Sequence, residues 1–317
     1  MSKIKLGIVA DFRPYEDYFQ KFCKSGGDRI IEIHVLESDM VQDFKGKLQK
    51  VAQFIVKNSI ETIAFHSPDR ITQSVLFNEQ APGLEADKKT FYIFFDELKN
   101  LSKELDREIL VVVHQGLKMP RAVLEKMSDR EIDEYREECV RKANESYSMM
   151  ISYCKGTKLM PVLENSPPSA AADLKEHFID LAFEDMEPRL GSNGFVLDIS
   201  HTAMCIEYFR QDKLRFAALE SLRRKYGGAP KSLQSMENYV SKAGKNIRWI
   251  HANDANGLLG TNEGLEIGSK GSLIDFNRLM HAVKEFIKEP KMVLELVNSH
   301  KDYSLIERSF EKLKPIS

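Results

Sequence analysis

The sequence predicts an α/β fold in which eight parallel strands and their helices close into a (β/α)8 barrel. Apolar, β-branched runs of strand length recur along the 317 residues, and segments with helical periodicity separate them. This alternation implies parallel pairing, and uninterrupted apolar runs fit strands that are buried on both faces. The strand-like runs span about residues 4–10, 29–36, 60–66, 109–115, 159–164, 193–199, 247–252 and 291–297.

The intervening segments support the same fold class. Helical periodicity covers residues 44–58, 90–105, 129–154 and 276–288, and Ser128 with Glu131 forms a capping-box pattern before the third of these. Residues 206–245 exceed the length of one crossover helix, so we expect two helices there. Closed barrels commonly reach this length as one domain, which predicts a single TIM-barrel domain over residues 1–317.

Composition excludes several classes of protein. The chain is 42% hydrophobic and 30% charged with a formal net charge of −2, so it has no general basic field for nucleic acid, although a local patch stays open. No run approaches the roughly 20 apolar residues of a membrane-spanning helix. The four cysteines lack CxxC spacing, and no signal-peptide pattern opens the chain, so we expect reduced thiols and a cytoplasmic protein.

Several apolar runs end in residues that commonly bind metal ions. Because the active site of such a barrel lies at the carboxyl ends of its strands, these side chains are expected to converge. Another histidine, His201, follows shortly after one of the runs. The terminal residues are His66, His114, Glu164, Asp198, His251 and Glu295.

The residue types indicate the chemistry of the site. Carboxylates mixed with imidazole suit a divalent ion such as Zn²⁺, Mn²⁺ or Co²⁺, and no organic cofactor is expected. A carboxylate buried behind apolar residues needs a cation or another partner, whereas a lone strand-terminal histidine is often only structural. The predicted primary metal ligands are Glu164, Asp198, His251 and Glu295, and His66 and His114 are a possible second site bridged by Glu164. The other histidines, His34, His177, His281 and His300, are expected to be ordinary surface or packing residues.

Loops after the strands are expected to set specificity. The stretch 69–88 is long, so it either closes over a substrate, with Leu76 and Phe77 lining the pocket, or packs on the surface or another subunit. Lys270 lies between Gly268 and Gly271, where it either meets a substrate phosphate or carboxylate or is a solvated turn residue. Asp254 is a further candidate for substrate binding.

At these positions the chain resembles the xylose isomerase-like TIM barrels, which include sugar isomerases and epimerases, inosose dehydratase and endonuclease IV. The resemblance spans nearly the whole chain, and the order of its motifs carries it. The motifs are Phe65-His66-Ser-Pro68, Val113-His114-Gln-Gly116, Leu163-Glu164-Asn165, Leu197-Asp198-Ile-Ser-His201, His251-Ala-Asn253-Asp254, Gly268-Ser-Lys-Gly271 and Leu294-Glu295.

Resemblance to the sugar epimerases of this family implies a metal-dependent isomerase or epimerase. Its substrate would be a small sugar, polyol or keto-sugar, and a homodimer is possible. Glu164 and Glu295 would be catalytic, acting as bases on opposite faces of the substrate, and His201 would hydrogen-bond a substrate oxygen. Epimerases often carry an arginine shortly after the seventh-strand histidine, whereas this chain runs Asp254-Ala-Asn-Gly257.

Resemblance to endonuclease IV implies a different activity, cleavage of abasic DNA by a metallo-phosphodiesterase. The six strand-terminal residues match the ligands of that family's first two zinc ions, and His201 matches a ligand of the third. Asn262 and Gly264 stand where the third ion needs an Asp-x-His pair, and Glu263 compensates at most in part. A non-catalytic, metal-containing barrel that binds a metabolite is the remaining alternative.

Overall fold

The computed structural model describes residues 3–12, 15–41, 43–68, 84–115, 118–169, 175–211 and 214–317, with backbone alone at 84–88. In chain order the strands are β1 (Lys5–Asp11), β2 (Ile30–His34), β3 (Thr62–His66), β4 (Ile109–Val113), β5 (Lys118–Pro120), β6 (Leu159–Glu164), β7 (Lys175–His177), β8 (Phe195–Asp198), β9 (Ile247–Ala252) and β10 (Lys291–Leu294). Eight of them are parallel and close into a barrel in the order β1-β10-β9-β8-β6-β4-β3-β2, and β2 pairs with β1 to complete it. This confirms the predicted fold class.

The barrel interior is filled mainly by β-branched and small side chains, and the single tryptophan, Trp249, lies among them fully buried. Close approach of β1 to β2 depends on Gly7, because a Cβ at this position would lie 2.5 Å from the carbonyl oxygen of Ile30. A second, larger apolar layer packs the outer faces of the strands against the helices. The strands are therefore buried on both faces, as their uninterrupted apolar sequences predict.

Helices surround this barrel. The α-helices are α1 (Tyr15–Lys24), α2 (Glu37–Val41), α3 (Phe44–Lys57), α4 (Leu84–Leu105), α5 (Arg121–Leu124), α6 (Asp129–Cys154), α7 (Phe183–Leu190), α8 (Ile199–Arg210), α9 (Ala217–Tyr226), α10 (Met236–Ala243), α11 (Phe276–Phe286) and α12 (Ser304–Leu313). Short 3-10 turns cover Lys231–Gln234, Gly244–Asn246, Gly260–Asn262 and Lys314–Ile316.

Two predictions about the helices are confirmed, the capping box at Ser128 and the presence of more than one helix in residues 206–245. Ser128 caps α6 with the complete capping box, in which its side chain and that of Glu131 each accept a hydrogen bond from the other residue's backbone. The segment 206–245 holds the end of α8 followed by α9 and α10, so two further helices do form there. In the described part of the chain, no helix combines the length and the apolar character needed to cross a membrane.

An antiparallel pair formed by β5 and β7, which was not predicted from the sequence, lies outside the barrel. Each of these strands has only three residues, too few for a periodic pattern to be recognised. Several barrel strands were also predicted a few residues too long at their carboxyl ends. Of the predicted long loop, residues 69–83 lie outside the described residues, and 84–88 belong to α4.

Candidate metal centre

A cavity of about 980 Å³ opens at the carboxyl ends of the barrel strands. Side chains at the ends of β1, β2, β3, β6 and β8 line it, as do residues that follow β4, β9 and β10. The predicted site residues that line this cavity are His66, His114, Glu164, Asp198, His201 and Glu295. The barrel thus brings together residues that are far apart in sequence.

The four residues predicted as primary ligands, Glu164, Asp198, His251 and Glu295, form one group. One potential ligand atom from each lies within 4.8 Å of the others. His251 Nδ1 is 3.2 Å from Glu164 Oε1 and 2.8 Å from Glu295 Oε2. Its distance to Asp198 Oδ2 is 3.9 Å. This spacing allows one ion to contact all four side chains.

The imidazole of His251 is held from behind by Glu32, a fully buried carboxylate on β2. Nε2 of His251 lies 3.0 Å from Glu32 Oε2 and donates a hydrogen bond to it, which leaves Nδ1 facing Glu164 and Glu295. A carboxylate behind a ligating histidine commonly fixes the orientation of the ring and makes it a stronger ligand. Glu32 is therefore a positioning residue for this group.

Asp198 is oriented by the first turn of α8, which it caps. Its Oδ1 accepts hydrogen bonds from the backbone N–H of His201 at 2.8 Å and from Ser200 Oγ at 2.9 Å. Its Oδ2 accepts one from Asn253 Nδ2 at 2.7 Å. Asn165 fixes the backbone of Asp198 by accepting a hydrogen bond from its N–H at 2.7 Å. The carboxylate therefore has little freedom to reorganise.

The electrostatics of the group favour bound positive charge. Burial opposes ionisation of Glu164 and Glu295, but the neighbouring His251 outweighs it, so the pKa of Glu164 lies well below its usual value and that of Glu295 falls to about 2. Burial likewise opposes a charge on His251, yet Glu295, Glu32 and Glu164 raise the pKa of His251 well above its usual value. Burial and adjacent carboxylates raise the pKa of Asp198.

The residues present fit a divalent ion. Three carboxylates and one imidazole supply oxygen and nitrogen donors, and three of the four residues are fully or almost fully buried. Such concentrated negative charge in a dry site needs a cation or extensive pairing. Mixed oxygen and imidazole donors suit Zn²⁺, Mn²⁺ or Co²⁺.

His66 and His114 belong to two different additional groups, and their sharing of one second ion with Glu164 stays a prediction. His114 lies with Glu164 and His201, and His66 lies with Glu32 and Glu295, again within 4.8 Å in each group. His66 Nε2 donates to Glu164 Oε2 at 3.1 Å. Burial opposes a charge on His66, but Glu164 raises the pKa of its ring to about 10.

His201 extends the cavity wall beside the four-residue group. Its Nδ1 donates to the carbonyl oxygen of Asn165 at 2.8 Å, and its Nε2 lies 3.6 Å from Glu263 Oε2. Burial raises the pKa of Glu263 to about 7 although His201 opposes the change. His201 therefore presents a polar ring to any molecule in the cavity.

Asp254 and Lys270 do not reach this cavity. Asp254 is buried and accepts hydrogen bonds from Ser272 Oγ at 2.8 Å and from the backbone N–H of Ser269 at 3.0 Å, so it anchors the loop after β9. Lys270 is exposed on that loop and is absent from the cavity lining within the described residues. The structure does not support the predicted contact of these two residues with substrate.

Some residues of the site were not predicted from the sequence. Glu32 interrupts the apolar run of β2, and this interruption was the available signal. Of the histidines predicted to be ordinary, His281 is exposed, whereas His34, His177 and His300 line the cavity. His177 is buried, and burial together with the positive neighbours His114 and Lys118 lowers the pKa of its ring well below the usual value.

Among known proteins, the chain matches solved structures but no family model and no curated sequence. A D-tagatose 3-epimerase-like protein is 16% identical, with a TM-score of 0.61 over 98% of each chain. The 3-keto-D-glucoside 4-epimerase of E. coli is 12% identical, with a TM-score of 0.63 over 99% of this chain and 100% of that one.

Other similar structures include a family 2 AP endonuclease from Brucella melitensis and a xylose isomerase domain protein from Alicyclobacillus acidocaldarius. The endonuclease is 10% identical, with a TM-score of 0.54 over 97% of this chain and all of that one. Epimerases, an isomerase-domain protein and an endonuclease thus share one architecture with this chain. The chain has the fold of the xylose isomerase-like TIM barrels, as its motifs predicted.

Proposed function

We propose that the protein is a divalent-metal-dependent enzyme that isomerises or epimerises a small sugar or keto-sugar. The observation that carries this proposal is the buried group of Glu164, Asp198, His251 and Glu295 at the base of a large cavity. Two of its carboxylates, Glu164 and Glu295, line that cavity, and the charge of His251 lowers the pKa of each in spite of burial. The fold shared with sugar epimerases adds support.

Each residue has a distinct role in this reaction. All four residues of the group would hold the ion, which, when bound, polarises a carbonyl and acidifies the neighbouring C–H. Glu164 and Glu295 reach the centre from β6 and from the end of β10, and β8 and β9 separate these strands in the barrel. One carboxylate takes the proton from carbon. Return of a proton to the opposite face inverts that carbon. Return to the former carbonyl carbon, with transfer of the neighbouring hydroxyl proton to the former carbonyl oxygen, gives the isomer.

His201 has a role in positioning the substrate. Its ring lies at the cavity wall beside Glu164, at 3.7 Å from Nδ1 to Oε1, where it would position a substrate oxygen.

The four cysteines are unpaired thiols, which supports a cytoplasmic setting for the reaction.

The proposal is tested by solvent exchange into candidate ketoses. Purified protein supplied with Mn²⁺, Zn²⁺ or Co²⁺ is incubated in D₂O with a set of ketoses and keto-sugars, and proton NMR follows the loss of the C–H signal next to the carbonyl. We expect exchange in the wild type and a fall of about 100-fold or more in Glu164→Gln and Glu295→Gln. Glu266→Gln, a carboxylate paired with Arg308 and Lys312, is the control. Absence of exchange in every substrate, at confirmed metal saturation, would oppose the proposal.

A specific observation also favours a second candidate, an endonuclease IV-like phosphodiesterase. His114, Glu164 and His201 form another group able to bind an ion beside the first, and Glu263 faces His201. A second ion there would suit phosphodiester cleavage. Nicking of duplex DNA with one abasic site discriminates this activity from the first, because an isomerase leaves the duplex intact. Failure of both assays in a metal-loaded protein would favour a non-catalytic barrel that binds a metabolite.

A further inference from the structure

The β5–β7 ribbon covers one side of the cavity. Its register places Lys118 opposite His177 and Pro120 opposite Lys175. Alternate residues of a strand face opposite sides, so Lys175 and His177 share one face, and Lys118 shares that face as the cross-strand partner of His177. All three side chains line the cavity. The ribbon thus presents two ammonium groups and one imidazole to the same space as the metal centre.

The other face of the ribbon is anchored to the protein. The carboxylate of Glu176 accepts a hydrogen bond from the backbone N–H of Ala217, at the start of α9, at 2.6 Å. Its other oxygen lies 3.5 Å from Nε of Arg121. The ribbon is therefore fixed from behind, and its basic face is held toward the cavity without any bound molecule.

The buried ring of His177 has a nitrogen atom without a hydrogen-bond partner among the described residues. The residue is only 2% exposed, yet its Nδ1 has no hydrogen-bond partner among the described residues. Buried polar atoms in folded proteins nearly always have a hydrogen-bond partner, so this one requires an explanation. Its ring centroid lies 5.4 Å from that of His114, which belongs to the group containing Glu164. A molecule bound at the ribbon would therefore reach toward the metal centre.

The charge around the cavity is divided between two regions. Carboxylates dominate away from the ribbon, whereas the ribbon contributes Lys118 and Lys175. The net charge of the chain is −2, so the surface as a whole is not basic and the two lysines are a local positive feature. The carboxylates that line the cavity are Asp11, Glu37, Glu164, Asp198, Glu263 and Glu295. A molecule with an anionic group at one end would bind in one orientation only.

We propose that Lys118, Lys175 and His177 form a subsite for an anionic group, a phosphate or a carboxylate, carried by the substrate. This inference rests on the proposed function and narrows its substrate class to acidic sugars, such as sugar phosphates or sugar acids. The anion binds at the ribbon, and the carbonyl end extends to Glu164 and Glu295. The lysines supply charge, and the imidazole of His177 supplies a directed hydrogen bond.

Binding of inorganic phosphate to chelator-treated protein tests this subsite apart from the metal. Isothermal titration at constant ionic strength, with acetate as a second probe, distinguishes a phosphate site from a carboxylate site. We expect one of the two anions to bind, and each of Lys118→Gln and Lys175→Gln to weaken it about tenfold or more. His177→Phe should also weaken binding. Lys270→Gln is the matched control, because Lys270 is exposed and lies outside the cavity lining.

The outcomes separate this proposal from the proposed function. Loss of anion binding in the two ribbon variants supports the subsite even when no ketose exchanges deuterium, in which case the isomerase proposal alone fails. No binding of either anion, or binding that Lys270→Gln weakens as much as the ribbon variants do, overturns the subsite. Binding of a DNA duplex that depends on the ribbon lysines, without binding of free phosphate, also overturns it.

Discussion

At the scale of single residues, the carboxylate of Glu32 orients the imidazole on which the metal centre depends. Glu32 is fully buried, and its Oε2 accepts the hydrogen bond from His251 Nε2 at 3.0 Å. The other nitrogen of the ring is thereby directed at Glu164 and Glu295. Because Glu32 stands behind His251, its effect on the centre is indirect and concerns the orientation and basicity of the ring.

Glu32→Gln is predicted to weaken metal binding without abolishing it. The amide oxygen can still accept from His251, but the negative charge that strengthens the ring as a ligand is lost. We expect metal affinity to fall about 10- to 100-fold, with unchanged stoichiometry at saturation. Competition titration against a chromophoric chelator measures the affinity, and Glu61→Gln, an exposed carboxylate paired with Lys5, is the control. Equal affinities for wild type and Glu32→Gln would show that Glu32 has no such role.

The sequence allowed the strand-terminal residues to be predicted, because each stands directly after an apolar run. It did not reveal Glu32, since a carboxylate inside such a run looks like an interruption of the strand rather than part of a site. His177 was missed for a related reason. It ends a three-residue strand with no apolar pattern, and its place at the cavity follows from pairing with Lys118, a contact between distant segments.

At the scale of elements, the buried carboxyl group of Glu176 joins the β5–β7 ribbon to the first residue of α9. Glu176 is 3% exposed and accepts from the backbone N–H of Ala217, the first residue of α9. Burial nevertheless raises the pKa of Glu176 to about 7, against the hydrogen bonds to α9 and the charge of Arg121. The carboxyl group is therefore easier to protonate in the folded protein than in the unfolded chain.

Glu176→Gln is predicted to remove a pH dependence of stability. A raised folded-state pKa means that the contribution of Glu176 is complete below its unfolded pKa and is lost as the pH rises through about 7. Relative to the variant, the wild type should lose about 2–3 kcal/mol of unfolding free energy between mildly acidic and mildly alkaline pH. Urea unfolding of both proteins at several pH values measures this difference. A constant difference across that range would contradict the assigned pKa.

Most strands and helices could be predicted from the sequence, but the residues at which they end could not. The prediction for α6 matches Asp129–Cys154 because Ser128 and Glu131 mark its start. β10 ends at Leu294 rather than at residue 297. The backbone N–H of Glu295 still donates to Ala252 of β9, but that of Val297 donates to Gly264 in the loop after β9. Periodicity cannot show such an end, because the residues beyond Leu294 are still partly apolar.

At the scale of the whole molecule, the barrel brings the carboxyl ends of its eight strands to one cavity. That residues 1–317 form a single domain stays a prediction. A divalent ion that binds only to the folded arrangement should stabilise the entire barrel, because ligands from β6, β8, β9 and β10 separate when it unfolds.

Metal ions are predicted to raise the stability of the wild type and to leave Glu164→Gln much less affected. At a free-ion concentration about 100 times the dissociation constant, the expected gain is about 2.7 kcal/mol. Thermal unfolding of chelator-treated protein, before and after addition of Mn²⁺, Zn²⁺ or Co²⁺, measures it. An equal rise of the midpoint in Glu164→Gln would place the stabilising ion elsewhere on the protein.

The metal content of the purified protein shows whether Glu164, Asp198, His251 and Glu295 hold a divalent ion. Elemental analysis would compare wild type, Glu164→Gln and the control Glu266→Gln, all prepared without chelators or metal-affinity resins. We expect about one divalent ion per chain in the wild type and the control, and its loss in Glu164→Gln. Two or more ions would favour the phosphodiesterase. No bound ion in the wild type, even after supplementation with Mn²⁺, Zn²⁺ or Co²⁺, would contradict the metal centre and both enzymatic functions built on it.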